Sequence, residues 1–295
     1  MTHFLSPENI SLVCLRKPDL DTLAAAFLAG VRPGVCPVLV CKGDAHAHLL
    51  CDPTVLCIEC GGSGQTHLGN LDHHGGDELL PTAAEQALEL FGPRPARLRV
   101  LAGYVAYIDT AGRRGTRPPY VSSANLSSLV SGMLLMHNAP LEAFKAGLEL
   151  ITQWADTYAE PWNLAGALDL FPEWRKYLSA HAAMKEALRE DAQNVVAFST
   201  AIGKGLALCT DSYGVHGLLR EMGARVRLAA RPGFPFRYSI SVEPEDRLWL
   251  MELCKGLNAV DPGWGGPSGG SIIGAPFSGS CLDLAAVITF ITEGR

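Results

Sequence analysis

Short apolar runs that alternate with helical segments constrain most strongly what the first half of this chain can fold into. Residues 11–15 (Ser-Leu-Val-Cys-Leu) and 36–41 predict buried strands, and residues 19–30 between them predict a helix with a polar start and a glycine stop. Residues 54–58 predict a third, β-branched strand that ends at Glu59. Strands alternating with helices indicate an α/β fold with a parallel sheet, which binds ligands at the carboxyl ends of its strands.

The chain of 295 residues is long enough for two domains. Residues 173–194 predict a long amphipathic helix, after which strand-like runs replace helical ones. We therefore expect an N-terminal domain with a parallel sheet and a helical linker at residues 1–194. A smaller α/β domain follows at residues 195–295.

Composition excludes several classes of partner. The net charge of −6 gives no basic surface for long duplex nucleic acid. The N-terminus lacks the pattern of a signal peptide, and no apolar run is long enough to span a membrane. The nine cysteines are scattered through apolar runs, which predicts reduced thiols in a cytoplasmic protein. The sequence leaves the oligomeric state open, and a homodimer is one possibility.

Acidic and imidazole side chains gather where apolar runs stop. Asp72, His73 and His74 stand together in a glycine-rich turn, and two adjacent histidines are poor core material. Neutral imidazole is the commonest metal ligand, and a neighbouring carboxylate can fix the tautomer of the ring. The alternative is a solvated polar loop. The other acids at such positions are Asp19, Asp21, Glu59 and Asp109.

These residues resemble, in order and type, the four motifs of the DHH phosphoesterase superfamily. That superfamily includes RecJ-type exonucleases, oligoribonucleases, phosphoadenosine-phosphate phosphatases and manganese-dependent inorganic pyrophosphatases. The match covers residues 11–112, and the segment from Glu59 to the two histidines is especially similar to the exonuclease-like branch. Helix-start acids that complement a helix dipole are the plainer explanation for Asp19 and Asp21 alone.

The resemblance implies two divalent cations, Mn²⁺ or Mg²⁺, held by this set of side chains. Asp19 would ligate the first cation. Asp21, His73 and Asp109 would ligate the second, and Glu59 would bridge the two. Mixed carboxylate and imidazole ligands suit Mn²⁺, and Mg²⁺ fits where oxygen ligands dominate.

The same resemblance implies the reaction. His74 would face the phosphate, holding it or protonating the leaving oxygen, while Asp72 orients the pair of histidines. A metal-bridged hydroxide would then hydrolyse a phosphate ester in a cleft between the domains. We expect the substrate to be a nucleotide or a short oligonucleotide.

Two departures from the family pattern keep other hypotheses open. Leu15 stands where many members have a histidine, although RecJ-type members also lack it, and Glu59 replaces the usual aspartate. A catalytically degenerate DHH-fold protein that binds phosphate or nucleotide is therefore the alternative. A zinc or redox role for Cys57 and Cys60 is the third hypothesis, with core thiols as the plainer explanation.

The glycine-rich segment 262–274 resembles the substrate loop of the DHH-associated C-terminal domain. Ser268-Gly269-Gly270-Ser271 stands where that domain usually has Gly-Gly-Gly-His. Such a loop can bring backbone N–H groups to a phosphate or sugar, while Trp264 stacks on a base; a purely structural loop is the alternative. The guanidinium group of arginine binds oxyanions through paired hydrogen bonds. Surface arginines, however, also contribute to solubility. The substrate-binding candidates are Trp264, Gly265, Gly266, Gly269, Gly270, Arg231 and Arg237.

Overall fold

The computed structural model describes residues 5–74, 80–92, 95–110, 112–266 and 270–293. The chain divides into two compact units, Met1–Ala182 and Ala183–Arg295. The division falls inside the helix Trp174–Asp191, and the predicted boundary near Asn194 follows that helix.

The first unit contains a parallel sheet flanked by helices. The strands are β1 (Leu12–Leu15), β2 (Val38–Val40), β3 (Val55–Ile58) and β4 (Asn70–Leu71). They lie in the order β2-β1-β3-β4, and each neighbouring pair is parallel. The helices are α1 (Leu20–Leu28), α2 (Ala47–Leu50), α3 (Ala83–Leu90), α4 (Ala96–Asp109), α5 (Leu126–Met136), α6 (Pro140–Ala155) and α7 (Trp174–Asp191). The predicted α/β class and parallel sheet are confirmed.

Helix α1 lies in the core of this unit. Asp19 caps its start by accepting a hydrogen bond from the backbone N–H of Thr22 at 3.1 Å. Every residue from 21 to 28 is buried, and three consecutive alanines keep the helix narrow. Neighbouring helices therefore pack closely against it: a Cβ atom at Gly147 of α6 would lie 2.4 Å from the side chain of Leu23.

Helices α3 and α4 follow the sequence signals at their starts and ends. Thr82 and Glu85 form a reciprocal capping box at the start of α3, as the Thr-x-x-Glu spacing indicates. The apolar run 98–108 predicts a helix or another buried segment, and it forms most of α4. This helix ends at Asp109 and so places that carboxylate at its C-terminus.

The second unit contains a mixed sheet and three helices among its described residues. Its strands are β5 (Val196–Thr200), β6 (Gly203–Cys209), β7 (Val226–Arg231), β8 (Arg237–Ser241) and β9 (Ile272–Gly274). They lie in chain order; β6 and β7 are parallel and the other pairs antiparallel. The helices are α8 (Val215–Glu221), α9 (Arg247–Val260) and α10 (Leu284–Glu293). The sequence predicts β5 to β8 from the runs 195–198, 206–209, 225–229 and 237–242, and α9 and α10 from the segments 244–257 and 282–292. It does not predict β9 or α8.

Two further sequence expectations concern the cysteines and the membrane. All nine cysteines are free thiols, and those at 14, 57 and 60 are fully buried. In the part of the chain that the structure describes, none of the helices combines the length and hydrophobicity that crossing a bilayer requires.

Replacing Gly132 with alanine should destabilise the first unit. A Cβ atom there would lie 1.8 Å from the carbonyl oxygen of Tyr177, so α5 and α7 would have to separate. We expect a loss of about 1–3 kcal/mol in the free energy of unfolding, measured from urea denaturation followed by circular dichroism. Gly166→Ala is the control, because nothing lies within 4 Å of its added Cβ. Equal stability of the two variants would contradict the close helix contact.

Candidate metal centre

The carboxyl ends of three parallel strands bring polar side chains to one edge of the first sheet. Asp19 follows β1 at the start of α1, Glu59 directly follows β3, and Asp72 and His73 directly follow β4. Because parallel strands end at the same edge, side chains that are distant in sequence become neighbours. Asp109, at the end of α4, reaches the same place, 3.3 Å from the ring of His73.

Three carboxylates converge on one nitrogen atom of His73. Its Nε2 lies 3.2 Å from Glu59 Oε1, 3.3 Å from Asp109 Oδ2 and 3.6 Å from Asp21 Oδ2. A ring nitrogen carries at most one proton and can satisfy only one of these acceptors. The oxygen and nitrogen atoms around this point have more lone pairs than there are protons to share between them. Such a group of atoms is suited to binding a cation.

The side chains form two groups that could each hold a metal ion. In each group the ligand atoms all lie within 4.8 Å of one another. One group is Asp21, His73 and Asp109, the set predicted for the second cation; the other is Glu59, His73 and His74. Carboxylate oxygens with imidazole nitrogens fit a divalent ion such as Mn²⁺. The donors present therefore suit the divalent cations that the resemblance implies.

The electrostatics of the site also favour a cation. Burial, together with the charges of Glu59 and Asp109, raises the pKa of Asp21 well above its usual value. Burial and the charge of Asp19 raise the pKa of Glu59, and burial raises the pKa of Asp109. Burial alone would lower the pKa of His73, but its hydrogen bond to Glu59 and the charge of Asp109 raise it. Even a protonated His73 carries one positive charge against three carboxylates, and a divalent ion would supply the missing countercharge.

Asp21 is held rigidly by the start of another helix. Its two oxygens accept hydrogen bonds from the backbone N–H groups of Ala83, at 2.8 Å, and Ala84, at 2.9 Å. These are the first N–H groups of α3, which lack partners within the helix, and the carboxylate also faces the positive end of the helix dipole. Asp21 therefore joins α1 to α3 while it faces His73.

Glu59 adopts a strained backbone conformation. Its φ of 51° lies in the left-handed region, which among the described residues no other non-glycine residue occupies. Such a conformation costs on the order of 1–3 kcal/mol and is found most often at functional sites. The side chain is fixed by Thr22, whose Oγ1 donates to Glu59 Oε2 at 2.9 Å. From the sequence, Thr22 is only a possible cap of the predicted helix 19–30, so the sequence does not predict this contact.

Asp72 orients the imidazole of His74. One oxygen accepts from the backbone N–H of His74 at 2.8 Å and lies 3.1 Å from its Nδ1; the other accepts from the N–H of Gly61 at 2.7 Å. Burial works against the charged form of Asp72, but these hydrogen bonds lower its pKa to about 2. The hydrogen bond that its Nδ1 donates to Asp72 raises the pKa of His74, whose side chain is 40% exposed. None of the described residues hydrogen-bonds to the Nε2 atom of His74, so this atom is available to a ligand.

Asp19, predicted to hold the first cation, has a basic partner. Its Oδ2 lies 2.7 Å from the ammonium of Lys17. Burial works against the charged form of Asp19, but the charge of Lys17 and the hydrogen bonds from Lys17 and Thr22 together lower its pKa. Neither of the two metal-ligand groups among the described residues includes Asp19. Leu15, which replaces the histidine of many family members, is fully buried in β1. A first cation, if bound at Asp19, would therefore have fewer protein ligands than one held by Asp21, His73 and Asp109.

The candidates in the second unit fall into two places. Arg231 and Arg237 line one open pocket near the ends of β7 and β8. Trp264 is instead only 4% exposed, stacks on Tyr238 with ring centroids 6.0 Å apart, and donates to Asp261 at 2.9 Å. Its ring is therefore part of the core, and this burial leaves little surface for the expected stacking of a base.

The glycines of the same loop have structural surroundings where the structure describes them. Gly265 and Gly274 exchange backbone hydrogen bonds of 3.1 and 2.7 Å. A Cβ atom at Gly266 would lie 2.2 Å from the carbonyl oxygen of Ile272, so only glycine fits there without a shift. Gly270 lies in the loop before β9, and Gly269 lies outside the described residues.

The thiols of Cys57 and Cys60 pack in a small apolar cluster with Cys14. Cys14 and Cys57 are register partners on β1 and β3. No cysteine belongs to either group of potential metal ligands within the described ranges. Burial as core residues accounts for these three thiols.

Comparison with known proteins identifies the fold. No protein-family model and no curated protein sequence matches the chain significantly. Among solved structures, the pGpG-specific phosphodiesterase PggH of Vibrio cholerae aligns over 90% of this chain and 92% of its own, with a TM-score of 0.57 and 14% identity. A DHH-domain protein described as a member of the s1p family of ribosomal proteins aligns over 91% and 82%, with a TM-score of 0.50 and 14% identity.

The exonuclease RecJ bound to manganese covers 97% of this chain and 89% of its own, with a TM-score of 0.46 and 15% identity. At identities this low a structural likeness shows the fold alone. The DHH resemblance predicted from the motifs is confirmed at that level by the first two structures.

Mn²⁺ should raise the thermal unfolding temperature, and the increase should grow with pH. Because the folded protein raises the pKa of Asp21, Glu59 and Asp109, it holds protons that the unfolded chain releases. The stabilisation of the folded state by these bound protons is complete below the pKa values of the unfolded chain. It is lost as the pH rises through the pKa values of the folded protein. Since a cation must displace these protons, we expect a smaller Mn²⁺ effect at about pH 5 than at about pH 8.

The measurement is a thermal scan in EDTA and in Mn²⁺ at both pH values. Asp109→Asn should reduce the Mn²⁺ effect, because it removes a charged ligand. Asp169→Asn is the matched control, since Asp169 is exposed and pairs with Arg175 instead. A Mn²⁺ effect that is absent, or equal in the two variants, would remove the metal centre from consideration.

Proposed function

We propose that this chain, which has the fold of the DHH phosphoesterases, hydrolyses a phosphate ester with the help of divalent cations. The observation that supports this most directly is the convergence of carboxylates on Nε2 of His73, at 3.2 to 3.6 Å. Such a dense set of acids, of which Asp21 and Glu59 are buried, would be unfavourable without a cation to neutralise it. A site of this charge suits an anionic substrate only when metal ions are bound.

A nucleotide or a short oligonucleotide is the proposed substrate. The structural neighbour PggH is described as specific for pGpG, a short nucleotide, and the fold it shares covers 90% of this chain. The net charge of −6 disfavours a long polyanion, whose binding depends on many phosphate contacts. A small phosphate ester can instead be held locally.

The side chains divide between holding the cations and handling the phosphate. Asp21, His73 and Asp109 would hold one cation, while Glu59 and Asp19 would hold the other, with Glu59 shared. Divalent cations in such a site supply positive charge that activates water and stabilises the phosphate during displacement. The rigid support of Asp21 by α3 and of Glu59 by Thr22 keeps the ligands in place.

His74 is the proposed phosphate-handling group. Its Nδ1 faces Asp72, so its Nε2 is the atom that can contact a phosphate oxygen or protonate the leaving oxygen. Asp72 raises the pKa of His74 and so favours the protonated, donating form. Asp72 acts through the imidazole and is a positioning residue.

A DHH-fold protein that binds a phosphate or nucleotide without cleaving it is the second candidate. The specific observation in its favour is the contact of Lys17 with Asp19 at 2.7 Å, beside the buried Leu15. An ammonium on that carboxylate competes with a first cation. Binding of pGpG with Mn²⁺ present and no turnover would favour this candidate over the enzyme.

His73→Ala and Asp109→Ala should each abolish hydrolysis of pGpG and of bis(p-nitrophenyl) phosphate with Mn²⁺. We expect rates to fall by more than about 100-fold, since residues that merely support metal ligands already account for about 10- to 100-fold. His67→Ala is the control, because His67 is an exposed histidine in the preceding loop. Hydrolysis at the native rate by either site variant would disprove the role of that residue.

His74→Gln should separate catalysis from metal binding. We expect kcat to fall by about 10²- to 10⁴-fold, the usual contribution of a general acid. Mn²⁺ binding by calorimetry should persist at the group Asp21, His73 and Asp109, whose three ligands are unchanged. Asp72→Asn should lower kcat less and shift the pH profile, since it leaves the imidazole in place without its carboxylate. An unchanged kcat in His74→Gln would contradict the assignment.

A further inference from the structure

The first unit contains an open pocket away from the candidate metal centre. Its volume is about 380 Å³, within the range of about 300–1,000 Å³ that is typical of pockets for small organic ligands. It is lined by the segment 31–38, which leads from α1 to the first residue of β2, and by α6. The metal centre lies at the other ends of these elements. Helix α1 has nine residues, so roughly 13 Å separates Asp21 in its first turn from the pocket beyond its end.

The lining of this pocket is mostly apolar. Helix α6 contributes one face to it, because Leu141, Phe144, Lys145 and Leu148 follow the i, i+3, i+4, i+7 spacing of a single helical face. Phe144 and Leu148 are buried, whereas Val35 of the segment 31–38 is 75% exposed. The pocket therefore has a buried apolar base and an apolar side that is open to solvent. An apolar group bound there would cover side chains that otherwise contact water.

Arg32 is a lining residue whose guanidinium is fixed by the end of α1. Its Nη1 donates to the carbonyl oxygen of Val31 at 3.0 Å and more weakly to that of Phe27 at 3.5 Å, and the group lies 5.0 Å from the ring centre of Phe27. Its Nε and Nη2 donate to no described residue, and Arg32 forms no salt bridge within the described ranges. A guanidinium that is held in place with unused donors loses little freedom when it binds an anion.

Lys145 brings a second positive charge to the pocket. It is exposed on α6, and neither Glu142 nor Glu149, one turn away on each side, forms a salt bridge with it. The methylene groups of a lysine can cover apolar surface while its ammonium stays in water. Two cations without an acidic partner among the described residues make this pocket suitable for an anion, although the chain as a whole has a net charge of −6.

The lining offers little else that is polar. Among the described residues that line the pocket, none has a hydroxyl, amide or carboxylate side chain. The thiol of Cys36 is half-buried, and burial raises its pKa, so it stays an uncharged and weak partner. The N–H and O–H groups of a sugar, a nucleoside or an amino acid would therefore find no strong side-chain acceptor here, which costs binding free energy. The pocket instead favours a ligand whose polar atoms all belong to one anionic group.

We propose that this pocket binds an organic carboxylate with an apolar body, of the kind represented by a medium-chain fatty acid. Arg32 and Lys145 supply the positive charge and the donors for the carboxylate oxygens. The apolar body covers Phe144, Leu148 and Val35. A phosphate group fits less well, because its additional oxygens find no neutral side-chain donor other than a thiol. Binding here requires neither the cations nor the hydrolysis proposed above.

The test is calorimetric titration of the full chain with octanoate, acetate, octan-1-ol and octyl phosphate. The protein is first treated with EDTA and dialysed into metal-free buffer, so that no carboxylate binds through a metal ion. Octanoate should bind at least about tenfold more tightly than acetate, because each buried methylene contributes several-fold. It should also bind at least about tenfold more tightly than octan-1-ol, which lacks the charge, and no less tightly than octyl phosphate. Failure of octanoate to bind, or a reversal of any of these orders, would overturn the proposal.

Three substitutions locate the bound octanoate. Arg32→Gln and Lys145→Gln should each weaken its binding by about tenfold or more, because each removes a charged donor. Val35→Asp should weaken it as well, since it adds a negative charge to the lining at a side chain that is already exposed. Lys185→Gln is the matched control and should not change the affinity, because Lys185 is an exposed lysine of α7 outside the lining.

The unfolding temperature shows which of these variants retain the native fold. Arg32→Gln should lower it, because Arg32 also donates to carbonyl oxygens at the end of α1. Lys145→Gln removes no such contact and should unfold as the wild type does, so its affinity reports on the ligand alone. Unchanged octanoate affinity in Lys145→Gln and Val35→Asp would contradict binding at this pocket.

Discussion

The mutual repulsion of buried carboxylates is the constraint on which the first unit depends. Each charge removed from water loses hydration free energy, and neighbouring charges of the same sign add to that cost. The fold lowers this cost with backbone and hydroxyl dipoles and with the positive charge of one lysine. The start of α3 faces Asp21, the hydroxyl of Thr22 donates to Glu59, and the ammonium of Lys17 contacts Asp19. These contacts hold the acids in place but leave the charge around His73 uncompensated.

The same contacts connect the site to the stability of the fold. Asp21 belongs to α1, which is buried from Asp21 to Leu28, and both of its oxygens accept hydrogen bonds from the first N–H groups of α3. A substitution of Asp21 therefore removes a helix cap together with a candidate ligand, whereas Asp109, at the end of α4, has no such second role among its described contacts. Comparing substitutions at the two positions therefore separates the loss of fold stability from the loss of a candidate ligand, although both side chains face the imidazole of His73.

The second unit handles buried polar groups differently. Arg227 is almost fully buried, but its guanidinium donates hydrogen bonds to Ser241 and Glu243. The carboxylate of Glu243 neutralises its charge. His216 lies between two serine hydroxyls and remains neutral. The positive charges of Arg231 and Arg237 stand at the open end of the same strands. A buried, satisfied network thus supports an exposed face with unbalanced charge, which reverses the arrangement in the first unit.

The sequence by itself determined the α/β class, most helices and strands, and the order of the acids and histidines, because hydrophobic period, capping residues and strand ends are encoded by neighbouring residues. It could not show that Trp264 enters the core, since its partner Tyr238 lies on a different strand, nor that Lys17 turns back onto Asp19. It also missed β9, α8 and the contacts of His216, whose partners are set by the packing of a short helix on β8. Only the tertiary structure decided these points, because they depend on the register of strands and on contacts between segments distant in the chain.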